Sequence, residues 1–282
     1  MEMNYMENPT IYLEAKYNYN LVHRKNMCDS LMPLHIHDSV EIYLNLSSLP
    51  NILLGSRVVT ALPGTLIIIP PFCVHRLFDR TDEVYDRYIL SVNLSWLDSV
   101  LLNGDSVYEY LKKTEMPLLL PLSPSVLGRL KQSFEELLSL SESDFFDKLS
   151  GFFRCMSQIN KTVYQYRTGN DKGIKTSTTQ QTVSDIIRYL NEHIDRNITL
   201  QELSDHFYLS PDYISRIFKK HTNSTVGSYI TLQKIARAKQ LLQEGYTITQ
   251  AQIMTGYSSY AHFSRTFRQQ TGMPPGAYRN KT

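Results

Sequence analysis

One pattern occurs twice near the C-terminus: Ile214-Ser215-Arg216-Ile217-Phe218-Lys219 and Phe263-Ser264-Arg265-Thr266-Phe267-Arg268, 49 positions apart. Each copy reads apolar, Ser, Arg, any residue, Phe, basic. On a helix this spacing gathers the apolar residues on one side and leaves Ser, Arg and the second cation on the other. The chain must therefore build two short helices, each anchored by aromatic or branched residues beneath and polar above. Such a polar face suits the major groove of DNA, and two of them suit successive groove segments.

The flanking residues supply helix starts and turns. Ser210-Pro211-Asp212 offers an N-cap hydroxyl, a proline at the first helical position and a carboxylate at the positive helix end. Thr199 and Glu202 form a predicted capping box ahead of a preceding short helix. Thr247 and Gln250 repeat that box 48 positions later, and Gly256 marks the second unit's tight turn. A first helix capped at Thr182 is expected to run to about Arg196. One long helix, roughly Val226–Glu244, is expected to separate the two units. The first unit's outer face then carries Ser210, Pro211, Asp212, Ser215, Arg216, Lys219 and Lys220. The second carries Ser259, Tyr260, His262, Ser264, Arg265 and Arg268. Arg216 and Arg265 are the candidates for bidentate base contact, and Lys219, Lys220 and Arg268 those for phosphate contact. His262 is read as contacting a base or stacking.

Residues 183–279 resemble the DNA-binding domain of AraC-type transcriptional regulators in the stretches LSPDYISRIFKKH, ARAKQLL and GYSSYAHFSRTFRQQTGMPP and in the closing Ala277-Tyr278-Arg279. The resemblance implies seven helices that place recognition helices near Ser210–His221 and Ser259–Gln270 on one face of double-stranded DNA. It further implies a non-enzymatic transcriptional regulator that responds to a small molecule, pairs as a homodimer and meets RNA polymerase. Ser204 and Gln252 stand where the family has a small alanine, Lys234 replaces an arginine, and Asn223 replaces a turn glycine. The longer Gln252 is expected to tilt the second unit.

Charge divides the chain. Residues 183–282 hold 12 Lys/Arg against 7 Asp/Glu, and residues 1–182 hold 17 against 20, so a basic module follows an acidic one. Short apolar runs at Val40–Leu46, Ile52–Leu54, Leu66–Ile69 and Tyr88–Val92 predict strands. Residues 96–166 switch to helical spacing. Their stripes of Leu, Phe and Met either cap the strands or meet a second copy. Residues 167–182 contain one aliphatic side chain and read as a linker. The expected fold class is α+β multidomain: a cupin-like β-barrel (1–95), a helical self-association segment (96–166), the linker (167–182) and an all-α double helix-turn-helix domain (183–282). Cys28, Cys73 and Cys155 form no close pair, which points to buried thiols in a reducing compartment. Without an apolar run of membrane length or a signal-peptide pattern, a cytoplasmic protein is expected.

His35-Ile36-His37 followed by Glu41, then Gly64, Pro70-Pro71 and His75, carries the second chemical signal. Period-two alternation points His35 and His37 the same way, Glu41 joins them on an unbulged strand, and His75 arrives from another. The spacing is similar to the cupin double motif. Phe72 stands where cupin enzymes have glycine, and no Asn follows His75 at the usual position; both departures argue against a metal-dependent cupin enzyme. Three readings stay open for His35, His37, Glu41 and His75: an effector site, a metal site, or satisfied polar groups of the sheet. The effector reading is favoured over metal, so no cofactor is expected. Tyr43, Arg57 and Tyr88 are candidates to complete the pocket.

Overall fold

The computed structural model describes residues 18–27, 34–76, 84–93, 96–97, 117–140, 144–167 and 177–280. Cys28 lies outside them. The N-terminal part is a sheet domain of eight strands among these residues: β1 Tyr19–Met27, β2 Ser39–Asn45, β3 Leu49–Leu54, β4 Arg57–Ala61, β5 Thr65–Ile69, β6 His75–Arg76, β7 Val84–Asn93 and β8 Leu118–Pro121. They form a five-stranded sheet, β1-β7-β2-β5-β8, and a three-stranded sheet, β4-β3-β6. Every pairing is antiparallel. Where a cupin-like barrel was expected, the described strands form two open, facing sheets.

Two antiparallel helices, α1 Pro124–Ser139 and α2 Phe145–Arg167, cover the outer face of the larger sheet. Val40, Ile42 and Leu44 of β2 meet Leu130, Phe134, Phe152 and Ile159 there in one apolar cluster. Tyr43, Ile67 and Ile69 project from the opposite face onto Ile52, Leu54 and Val59 of the smaller sheet. Apolar residues on both faces explain why β2 and β5 read as near-continuous hydrophobic runs instead of clean alternation.

Three details depart from the sequence expectations. Strand β8 lies inside the segment expected to be wholly helical, because Leu118–Pro121 pairs with β5 across the chain. The apolar stripes of 96–166 are largely spent within the chain, with Leu130, Phe134, Phe152 and Val163 buried against the sheet. On α2 it is Phe146 (78% exposed) and Tyr164 (69%) that face outward. The first helix of the C-terminal part begins before Thr182: Ser177 caps it through a complete box with Gln180, and the Thr182 hydroxyl donates to the Thr178 carbonyl. The last residues of the expected linker are therefore helical.

The C-terminal part is all helix: α3 Thr178–Glu192, α4 Leu200–Phe207, α5 Pro211–Thr222, α6 Val226–Gln243, α7 Ile248–Met254, α8 Tyr260–Thr271 and α9 Pro275–Arg279. Ser210 and Thr247 cap as expected, and Ser259, expected on the outer face, caps the second unit's helix. Thr199 does so only by half: its oxygen accepts from Glu202 N–H, but the Glu202 carboxylate is held by Arg196 at 2.6 Å and Tyr189 at 2.8 Å. Helix α6 joins two cores. Val226, Tyr229 and Leu232 enter the core around α3, α4 and α5, whereas Ile235, Ala238, Leu241 and Leu242 enter that of α7, α8 and α9. A single 18-residue rod, about 27 Å long, thus fixes both units.

Gly256 makes the turn of the second unit at φ 69°, and a Cβ there would run into the Asp195 carbonyl. Lys234 Nζ donates to the Gly256 carbonyl at 3.3 Å, and Gln252 Nε2 donates to the Tyr257 carbonyl at 2.7 Å. The longer amide at 252 therefore closes the turn. Gly256→Ala should destabilise the protein by about 1–3 kcal/mol from backbone strain alone, read as a lowered urea midpoint, with a larger loss if the Asp195 carbonyl cannot retreat.

Candidate DNA-binding interface and buried histidine–carboxylate cluster

Helices α5 and α8 are built alike. Ile214, Ile217 and Phe218 are buried under α5, and Phe263 and Phe267 under α8. Arg216, Lys219, Lys220, Tyr260, His262, Arg265 and Arg268 are exposed, with Ser215 and Ser264 half-buried beside them. Ser210 and Ser259 accept backbone N–H groups as N-caps, so their oxygens serve the helix ends first. Asp212 sits in the first turn of α5 and Pro211 at its first position. The Arg216 guanidinium lies 5.4 Å from the Tyr213 ring centroid, and the His262 ring is edge-on to Tyr257 at 5.3 Å. Asn223 ends α5 at φ 49°, filling the left-handed cap that glycine usually takes.

The cluster lies at the edge between the two sheets. His35 forms an isolated antiparallel bridge with His75, and their rings meet edge to face at 4.1 Å. His37 Nε2 stands 3.1 Å and His75 Nε2 3.3 Å from Glu41 Oε2, with both imidazoles buried. Tyr43, two residues along β2, donates its hydroxyl to the same oxygen at 2.7 Å. The sequence-derived set of His35, His37, Glu41, His75 and Tyr43 is thus assembled. Tyr88 is not part of it: its side chain enters the opposite core, and its hydroxyl donates to Glu135. Tyr85 and Arg87, unmarked in the sequence, stand nearer, the guanidinium 4.3 Å over the Tyr85 ring, and both act electrostatically on Tyr43.

Tautomers decide the chemistry. His37 Nδ1 faces the Ser39 carbonyl and His75 Nδ1 the Cys73 carbonyl, each at 2.9 Å. A carbonyl only accepts, so both Nδ1 atoms carry a proton, and in the neutral form of either ring the lone pair on Nε2 faces the carboxylate. Neither Nε2 makes a properly directed hydrogen bond. Burial disfavours charge on His37, yet the adjacent Glu41 carboxylate outweighs it and raises the imidazole pKa. Burial likewise opposes the Glu41 charge, but His37 and His75 hold its carboxyl well below the ordinary range. Burial, and then the Glu41 charge, push the Tyr43 phenol well up.

A proton on His37 satisfies one of the two lone-pair contacts and leaves the second. A divalent cation satisfies both. Tetrahedral bonds of about 2.0–2.2 Å to imidazole and carboxylate donors imply donor–donor separations of roughly 3.3–3.6 Å, against 3.1 and 3.3 Å for the two Nε2–Oε2 distances here. His35, His37, Glu41 and His75 present ligand atoms within 4.8 Å of one another, so the donor set fits an ion of the zinc, iron or nickel type.

A helix-turn-helix domain model matches residues 203–281. The chain is 30% identical over 103 residues to the regulatory protein SoxS of Escherichia coli K12, covering 96% of SoxS and 36% of this chain. The chain belongs to the AraC-type transcriptional regulators. It is also 25% identical over 262 residues to the HTH-type transcriptional activator Btr of Bacillus subtilis, covering 92% of this chain and 47% of Btr. Among solved structures, ToxT from Vibrio cholerae O395 resembles it with a TM-score of 0.38 and 13% identity, over 93% of this chain and 97% of that one. The chain spans between about a third and a half of the length of the first curated relatives it matches. Among the described residues, no helix is long and apolar enough to cross a membrane.

Calorimetric titration with Zn(II) should show about one ion bound per chain. His37→Ala and His75→Ala should abolish binding, and Tyr43→Phe should weaken it by about 10–100-fold through loss of the outer hydrogen bond.

Proposed function

We propose that this AraC-type chain is a sequence-specific DNA-binding transcriptional regulator of the cytoplasm, with the buried cluster as its regulatory input. The observation that carries the reading is the pairing of two capped helices on one rod. Each is anchored by buried aromatic or branched residues and exposes an arginine at the same place in its turn. Arg216 and Arg265 read base edges in successive major-groove segments; Lys219, Lys220 and Arg268 bind phosphate. His262 lies edge-on to Tyr257 and is available to a base edge. The N-terminal sheets act as a cupin-like sensor, pairing of two chains through α1 and α2 would double the DNA contact, and RNA polymerase is the partner for activation.

A sugar- or metabolite-sized effector fits poorly between the cluster's own atoms, which already stand 3.1–3.3 Å apart. A single ion suits that spacing better, so the effector site is read as one for a divalent cation. An effector acts by favouring one arrangement of the sheet domain over another.

Selection of genomic fragments by the full-length protein, followed by affinity measurement on the enriched site and its single-base variants, tests this reading. Arg216→Ala and Arg265→Ala should each erase about 1–3 kcal/mol of discrimination at one position. Lys219→Ala should weaken all sequences alike and lower the salt slope by about one. Failure to enrich any sequence would contradict the reading.

A further inference from the structure

The two strands that bring imidazoles to the cluster use their alternate residues to hold the DNA-binding domain. In the segment leading into β2, His35 and His37 point to Glu41, while Leu34 and Ile36 pack with the core of α3, α5 and α6. Asp38, next in line, acts electrostatically on Lys239 and Tyr278 of the second unit. Lys239 is itself buried, 5.5 Å from the Phe72 ring and 5.3 Å from Tyr278. In the other strand His75 enters the cluster, while Val74 joins the helical core and Arg76 reaches α5. Val58 of β4 adds a backbone N–H donated to Ser184 Oγ of α3 at 3.1 Å.

Arg76 is the polar contact aimed at a recognition helix. It is buried, and its Nη1 donates to the Asn223 carbonyl at 3.2 Å. With the Asn223 amide turned so that its oxygen faces the guanidinium, Oδ1 accepts from Nη2 at 2.5 Å and from Nη1 at 3.2 Å. Asn223 is the left-handed cap of α5, one peptide beyond the turn that carries Lys219 and Lys220. A cation placed against the carbonyl end of a helix is electrostatically favoured, and a guanidinium fork also fixes direction.

We propose that Arg76 is a positioning residue for DNA recognition. By tying the C-terminal cap of α5 to the strand that carries His75, it makes the state of the cluster alter how α5 is seated on DNA. This rests on the cluster being the regulator's input. A change in how the cluster holds His75 is passed along its strand to Arg76, and the guanidinium transmits it to the cap of α5 without refolding either domain.

The test is a double-mutant cycle on operator affinity in the full-length protein, using a site obtained by selection. Glu41→Gln should change the dissociation constant on the order of 5-fold or more, the usual scale of site–site coupling. In an Arg76→Gln background the same change should fall below about 2-fold, and Arg76→Lys should restore part of it. A merely structural role for Arg76 lowers the melting temperature but leaves the Glu41→Gln effect intact, so independent, multiplying effects would overturn the proposal. No effect of Glu41→Gln in either background would overturn it together with the input reading. If Arg76→Gln does not fold, Asn223→Gly keeps the cap and removes its side-chain acceptor. It should reduce the coupling, and full coupling there would overturn the proposal equally.

Discussion

The smaller sheet, β4-β3-β6, carries buried residues on both of its faces. Ile52, Leu54 and Val59 pack inward on the larger sheet. Leu53 and Val58, from the same strands, pack outward on Val183, Ile187 and Phe218 of the helical domain, joined by Val74 just before β6. Because side chains alternate along a strand, a three-stranded sheet buried on both faces makes its neighbours on either side mechanically continuous. The burial of the histidine–carboxylate cluster, the docking of α3 and α5, and the contact between Arg76 and Asn223 all follow from it.

Within the helical domain α6 plays the corresponding part. Its first half is core to one helix-turn-helix unit and its second half core to the other, so the separation of α5 and α8 is set by one rod. The turn of the second unit is held by Lys234 and Gln252, each donating to a backbone carbonyl, and by the positive φ of Gly256. The polar faces of α5 and α8 stay exposed while the domain is docked on the sheets. The proposed regulation therefore needs only a change of orientation and no burial of that surface.

Much of the helical domain was legible because its signals are local. Ser210, Thr247 and Gly256 act on groups within a few residues, and the repeated Arg–x–Phe pattern needs only one helical turn to be read. Partners outside the local pattern explain most of the misses. Glu202 leaves its capping box because Arg196 and Tyr189 outbid the backbone N–H for its carboxylate. The first helix starts at Thr178 since Ser177 finds Gln180, which a reading begun at Thr182 could not see. Strand β8 and the facing of Tyr88 depend on partners in β5 and α1 that no local pattern names. That His35, His37, Glu41 and His75 come together was legible from their spacing, whereas the protonation logic required the Ser39 and Cys73 carbonyls to be placed. The signal for Arg76 in the sequence is slight: a lone arginine directly after His75 in an otherwise apolar run.

Hydroxyl-radical footprinting of the full-length protein on its selected operator tests the central claim, that one rod presents two equivalent recognition helices to one face of DNA. The account predicts two protected stretches about one helical turn, roughly 10 base pairs, apart for each bound chain. Protection of a single stretch, or of two stretches out of phase by half a turn, would contradict it.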